Sequence, residues 1–98
     1  MDKIYKALAE INRRKIVFWL SQGDLNVGQV VKKLDLTQAT VSNHLLILKK
    51  SGLIESRVSG KERIYKLNRE KANDFVKELN RLMFLVKPSV ADEIIVRR

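Results

Sequence analysis

Cysteine is absent from all 98 residues. That excludes disulfides, thiolate metal sites, thiol redox sensing and a cysteine nucleophile together, and it is compatible with a reducing compartment. Histidine occurs once, so His44 cannot build a metal site alone, and no metal or cofactor is expected. One proline and four glycines leave no linker or low-complexity tract, and no internal repeat is visible. No run reaches the roughly 18 apolar residues of a membrane span. The opening M-D-K-I-Y-K lacks a signal peptide's apolar stretch, so a soluble, cytoplasmic protein without a membrane partner is expected. Acidic side chains are the scarcer charge: eleven Asp and Glu against twenty Lys and Arg, a net charge of +9. That excess is the footprint of a polyanion partner. No glycine-rich phosphate loop, Ser-His-Asp set or histidine pair is present. The carboxylate pairs Asp92–Glu93 and Asp74…Glu78 read as solvated charge, so no catalytic residue is assigned and the protein is not expected to be an enzyme.

The remaining sequence, 45% apolar and 32% charged, suits one globular domain with a core of modest size. Ile4, Tyr5 and Leu8 share one face of a first helix. Asn12 is a candidate cap for a second, in which Ile16, Trp19 and Leu20 point one way before Gly23 closes it. Val27, Val30, Val31 and Leu34 predict a short third helix ending near Asp35. Thr37 caps a fourth, Val41, Leu45 and Leu48 form its stripe, and Gly52 stands where a left-handed residue ends a helix. Ile54–Val58 and Arg63–Leu67 are strand-prone around the turn Ser59-Gly60-Lys61-Glu62. A last helix from about Arg69 carries Ala72, Phe75, Val76, Leu79, Leu82, Met83 and Val86, and Pro88 should end it. The fold class is therefore mainly α with a small β-hairpin, a winged helix-turn-helix of order ααααββα. Residues 1–87 are expected to form one winged helix-turn-helix domain, its DNA-binding and dimerisation roles resting on Thr37–Leu67 and on the first and last helices, and 88–98 a C-terminal tail read as flexible.

The segment Thr37–Leu67 carries the functional signal. Gln38, Ala39, Ser42 and Asn43 point away from the fourth helix's core stripe, near its start, where a recognition helix meets base edges. Asn and Gln can bond adenine, Ser and Thr can serve bases or phosphates, and Ala can touch a thymine methyl; Thr37 and Thr40 join the candidate set. The plainer reading is an ordinary solvated helix face. Lys49, Lys50, Arg57, Lys61 and Arg63 are candidate phosphate contacts that fix register without reading sequence. His44 lies beside the core stripe, and both a packing role and a DNA contact stay open for it. Ile4, Tyr5 and Leu8 with Leu79, Leu82, Met83 and Val86 form a natural dimer seam, as suits a reader of two-fold operators; the alternative is a last helix packed only on its own chain.

The runs A-L-A-E-I-N-R-R-K-I (Ala7–Ile16), T-V-S-N-H-L-L-I-L-K-K-S-G-L-I (Thr40–Ile54) and G-K-E-R-I-Y-K-L (Gly60–Leu67) resemble the ArsR/SmtB family of bacterial and archaeal winged-helix repressors. The resemblance runs from about Tyr5 to Met83. It implies a homodimeric, operator-binding transcriptional repressor with its first and last helices at the interface. Metal-sensing relatives carry Cys-x-Cys at the start of the third helix, where Asn26-Val27-Gly28 stands here. Zinc-sensing relatives use an Asp-x-His pattern on a last helix that has no histidine here. Neither site carries over, so the resemblance is to the branch without sensor residues, regulated by abundance, a partner or an organic ligand.

Phe18 and Leu46 are apolar where relatives carry charge, and both turn outward. The tail after Pro88 adds Ile94, Ile95 and Val96, read either as covering those residues or binding a partner, or as a frayed terminus. The expected function is sequence-specific binding of double-stranded DNA at an inverted-repeat operator, nucleoid-associated when bound. The alternatives are a winged-helix module that binds an acidic protein, a non-specific basic DNA-binding protein, and a ligand- or metal-responsive sensor built on carboxylates and His44.

Overall fold

The computed structural model describes residues 1–85. The domain boundary expected at residues 87–88, Val86 of the expected dimer seam and the tail lie outside the described residues.

Among these residues, five helices and three short strands follow in the order α1 (Asp2–Leu8), α2 (Ile11–Gln22), β1 (Leu25–Asn26), α3 (Val27–Leu34), α4 (Gln38–Ser51), β2 (Ile54–Ser59), β3 (Glu62–Leu67) and α5 (Arg69–Leu85). The strands form one antiparallel sheet of order β1-β3-β2. This is a winged helix-turn-helix, with α3 and α4 as the helix pair and β2–β3 as the wing. The expected hairpin gains a third strand, because Leu25 and Asn26 pair with Tyr65 and Ile64 on the open edge of β3.

Local chemistry sets the element boundaries. Glu10, not Asn12, caps α2: its carboxylate accepts the Arg13 backbone N–H at 3.1 Å, so the helix starts one residue before the expected cap. α3 opens on a reciprocal capping box, Asn26 Oδ1 accepting from Gln29 N and Gln29 Oε1 from Asn26 N, both at 2.8 Å. It ends at Asp35 in the left-handed region, φ 54°, which a short polar side chain tolerates and which turns the chain sharply toward α4. Thr37 caps α4, and Gly52 ends it at φ 90°.

Ile16, Leu20, Val30, Val41, Leu45, Leu48, Leu53 and Ile54 form the core, joined by Ile4 and Ala7 of α1. Val41, Leu45 and Leu48 are fully buried, and each such side chain contributes about 2 kcal/mol through burial. The inner face of α4 is therefore firmly anchored, which fixes the direction of its outer face. Ile4, assigned by its helical face to the expected dimer seam, is only 4% exposed within its own chain and packs in this core.

On α5, Phe75 meets Tyr5 of α1 edge to face at 5.0 Å between ring centroids, and Ala72 packs against the core. From Arg69 to Phe84 no side chain of this helix is fully buried. Across the outer surface of α2 and α3, the Lys33 ammonium sits over the Trp19 ring at 4.2 Å.

Candidate nucleic-acid interface

The 14-residue α4 presents Gln38, Ala39, Thr40, Ser42 and Asn43 to solvent along its first two turns. Thr37 is exposed but engaged: its Oγ1 accepts the Thr40 N–H at 3.2 Å and donates to Thr40 Oγ1 at 2.9 Å. The cap therefore sets the hydroxyl of Thr40 as well as the helix start, while the side chains of Gln38, Ser42 and Asn43 make no hydrogen bond among the described residues. Lys49 and Lys50 are exposed in the last turn. Leu46, 49% exposed, interrupts this polar face between Asn43 and the two lysines, and Phe18 stands out from α2 at 56%.

Of the two roles left open for His44, its position suits packing. It is 9% exposed and faces α2, where Arg13 Nη1 approaches its Nδ1 at 3.3 Å. Arginine only donates, so Nδ1 accepts and the ring proton sits on Nε2, 3.8 Å from the Glu10 carboxylate. The same guanidinium donates from Nε to the Ala7 carbonyl at 2.6 Å, and Arg14 Nη1 donates to the Leu8 carbonyl at 2.7 Å. Both carbonyls belong to the last turn of α1, where cationic partners suit the free acceptors and the helix dipole. Glu10, Arg13 and His44 thus join α1, α2 and α4 behind the exposed face. The carboxyl of Glu10 is held below the ordinary glutamate value: desolvation alone would raise it, but the backbone amides of Arg13 and Asn12 and the His44 and Arg13 side chains more than offset this.

The wing carries its cations on two faces. Arg57 lies opposite Ile64 and Val58 opposite Arg63, so successive side chains send Arg57 and Arg63 to opposite sides of the ribbon. Arg57 is tied to Asp24 at 3.1 Å; the phosphate role expected of it is partly occupied by this ion pair. Arg63 donates to Ser56 Oγ at 3.1 Å. Lys61 is exposed in the tight turn beside Gly60, whose φ of 63° needs a residue without a Cβ. Asn26, which sequence reasoning passed over, bonds Glu62 at the base of this turn through its Nδ2 at 2.9 Å. Among the described residues no three His, Cys, Asp or Glu side chains come together as a metal-holding group, and no helix is long and apolar enough to cross a membrane.

Residues 11–56, from the start of α2 into the wing, match the model of the bacterial regulatory protein, arsR family. The transcriptional repressor SdpR of Bacillus subtilis is 32% identical over 68 residues, covering 69% of this chain and 76% of that protein. The chain belongs to the ArsR family. An HTH-type transcriptional regulator of Mycobacterium tuberculosis, Rv2034, is 39% identical to this ArsR-family chain over 67 residues; the match takes in 68% of the chain and 63%, just under two thirds, of that relative. The transcriptional activator HlyU of Vibrio cholerae is 30% identical, over 81% of this chain and 73% of its own. Among solved structures, the homodimeric winged helix-turn-helix DNA-binding domain Mb0332 of Mycobacterium bovis superposes with a TM-score of 0.67 at 31% identity, covering 99% of this chain and 82% of that one.

Proposed function

We propose that this ArsR-family chain is a homodimeric transcriptional repressor that reads an inverted-repeat operator in double-stranded DNA. The observation that carries the reading is the anchoring of α4: its inner face is locked in the core while Gln38, Ser42 and Asn43 stand exposed on the outer one. A rigid helix with an open polar face at its N-terminal end suits the major groove. Lys49 and Lys50 in the last turn of α4, with Lys61 and Arg63 on the wing, supply phosphate contacts and salt-dependent affinity. The unburied stripe of α5 supports the dimer: Val76, Leu82 and Met83 stay exposed among the described residues, and Mb0332, a relative of similar architecture, is a homodimer. The protein acts by binding and not by catalysis, in the cytoplasm and on the nucleoid, with no metal or thiol switch. Repression follows SdpR; the activator HlyU shows that related chains regulate in the other direction too.

One observation favours a second reading. Leu46 is an exposed apolar side chain in the middle of the recognition face, where a winged helix that binds a protein would place a contact. Selection from a random duplex library by the purified protein at near-physiological salt separates the two. An enriched inverted repeat with half-sites about one helical turn (~34 Å) apart is expected. Binding without an enriched motif means a non-specific basic DNA-binding protein, and no binding leaves the protein-interaction module.

A further inference from the structure

The wing is held from one side by the two polar residues that flank Leu25. Asp24 pairs with Arg57 at 3.1 Å, and Asn26 Nδ2 donates to Glu62 Oε1 at 2.9 Å. Asn26 lies opposite Ile64, and Ile64 opposite Arg57, so Asn26, Arg57 and Glu62 share one face of the sheet. Glu62 is otherwise out of place. It stands between Lys61 and Arg63 on a hairpin expected to meet phosphates, where a carboxylate opposes binding. Asn26, for its part, has three polar bonds: the two of the α3 capping box and the one to Glu62. The side chain that starts the helix-turn-helix is thus the one that holds the base of the wing turn.

We propose that Asn26 and Glu62 form a latch that sets the angle of the wing relative to α3, making Glu62 a positioning residue for DNA binding despite its charge. The capping box fixes the Asn26 amide through its own oxygen, so its nitrogen points in one direction. Glu62 closes on that nitrogen, and Lys61 and Arg63, its chain neighbours, are carried to a fixed place relative to the start of α3. Without the latch the two-residue pairing of β1 with β3 and the Asp24–Arg57 pair remain, but both act nearer the root of the hairpin than its tip.

Asn26→Asp tests the latch while sparing the helix start, because Asp caps as well as Asn. It keeps the acceptor for Gln29, loses the donor to Glu62 and sets two carboxylates against each other. The double variant Asn26→Asp/Glu62→Gln restores a donor–acceptor pair in the reverse sense and has the wild-type net charge. The first readout is made without DNA: the spin–spin distance between labels at Lys32→Cys on α3 and Lys61→Cys at the wing tip, diluted with unlabelled protein. The chain has no cysteine of its own, so the labels are unique. A narrow distribution should broaden in the single variant and narrow again in the double.

The second readout, which rests on the DNA reading above, is affinity of the unlabelled proteins for the duplex that the wild type enriches. It should fall about fivefold in the single variant and recover in the double. An unchanged distance in Asn26→Asp, or a double variant as broad as the single, overturns the latch. A distance that moves while affinity stays overturns the positioning role. If the wild type enriches no duplex, the DNA reading fails, and the distance alone still decides whether the latch holds the wing.

Discussion

Arg13 of α2 and His44 of α4, 31 residues apart in the chain, meet side chain to side chain at 3.3 Å behind the recognition face. The contact gives a buried imidazole its polar partner and brings the end of α1 into the same cluster through the Ala7 carbonyl. The orientation of α4 thus rests on polar bonds as well as on Val41, Leu45 and Leu48.

Arg13→Ala should therefore destabilise the fold by about 1–3 kcal/mol, because it leaves the Ala7 carbonyl and the His44 Nδ1 without their donor. Urea denaturation followed by circular dichroism measures this. A loss below about 0.5 kcal/mol, the range of ordinary surface changes, would mean that water replaces the guanidinium at no cost.

Glu10 makes the same junction sensitive to acid. Its carboxyl titrates lower in the folded chain than the ordinary 4.5, so its contribution to stability is complete above that value and is lost as pH falls through the lowered native one. Compared with Glu10→Gln, the wild type should be the more stable at pH 7 and should lose that advantage only at the acid end. Parallel stability curves from pH 7 to pH 3 would contradict the assignment.

Reading and positioning should separate by mutation. Asn43→Ala should relax base preference by about 1–3 kcal/mol at the position it contacts. Lys61→Ala should weaken all duplexes alike and lower the salt slope by about one. Equal, sequence-independent losses from both would erase the distinction between base and phosphate contacts.

Met83 is 54% exposed on the lone chain, so Met83→Asp should leave the stability of the monomer nearly unchanged while splitting the dimer. Sedimentation should then show a single-chain mass, and operator affinity should collapse because two half-sites are no longer held together. A dimer that persists would move the interface away from this stripe.

Where a signal is local, the chain announces it. Thr37 and Gly52 bound α4 as a hydroxyl cap and a left-handed stop require, and the turn at Gly60 sets the wing register. The misses are of a different kind. β1 is two residues long, too short for an alternating pattern, and exists only because β3 has a free edge. Glu10 is not among the favoured caps, and Asn12 two places on is the stronger local signal. His44 stands at helical spacing from both Val41 and Leu48, and that spacing is why a packing role stood open for it beside a DNA contact. What made burial acceptable is Arg13, far off in sequence, and no local pattern shows that. Ile4 shares its helical face with Tyr5 and Leu8, and periodicity does not distinguish the chain's own core from a second copy. Phe84, at 87% the most exposed of the large apolar side chains described, lies off the apolar stripe of α5, where helical periodicity carries no signal for it.

The placement of Arg57 and Arg63 on opposite sides of the wing limits how this ribbon can change length over generations. A single residue inserted within either strand would invert every side chain beyond it, carrying Arg63 to the face of Asp24 or Arg57 away from it. Growth or trimming by a single residue is accommodated at the tip, around Gly60, where neither strand's alternation is disturbed. Descendants of this chain are free to vary the reach of the wing while the sidedness of its charge is inherited unchanged.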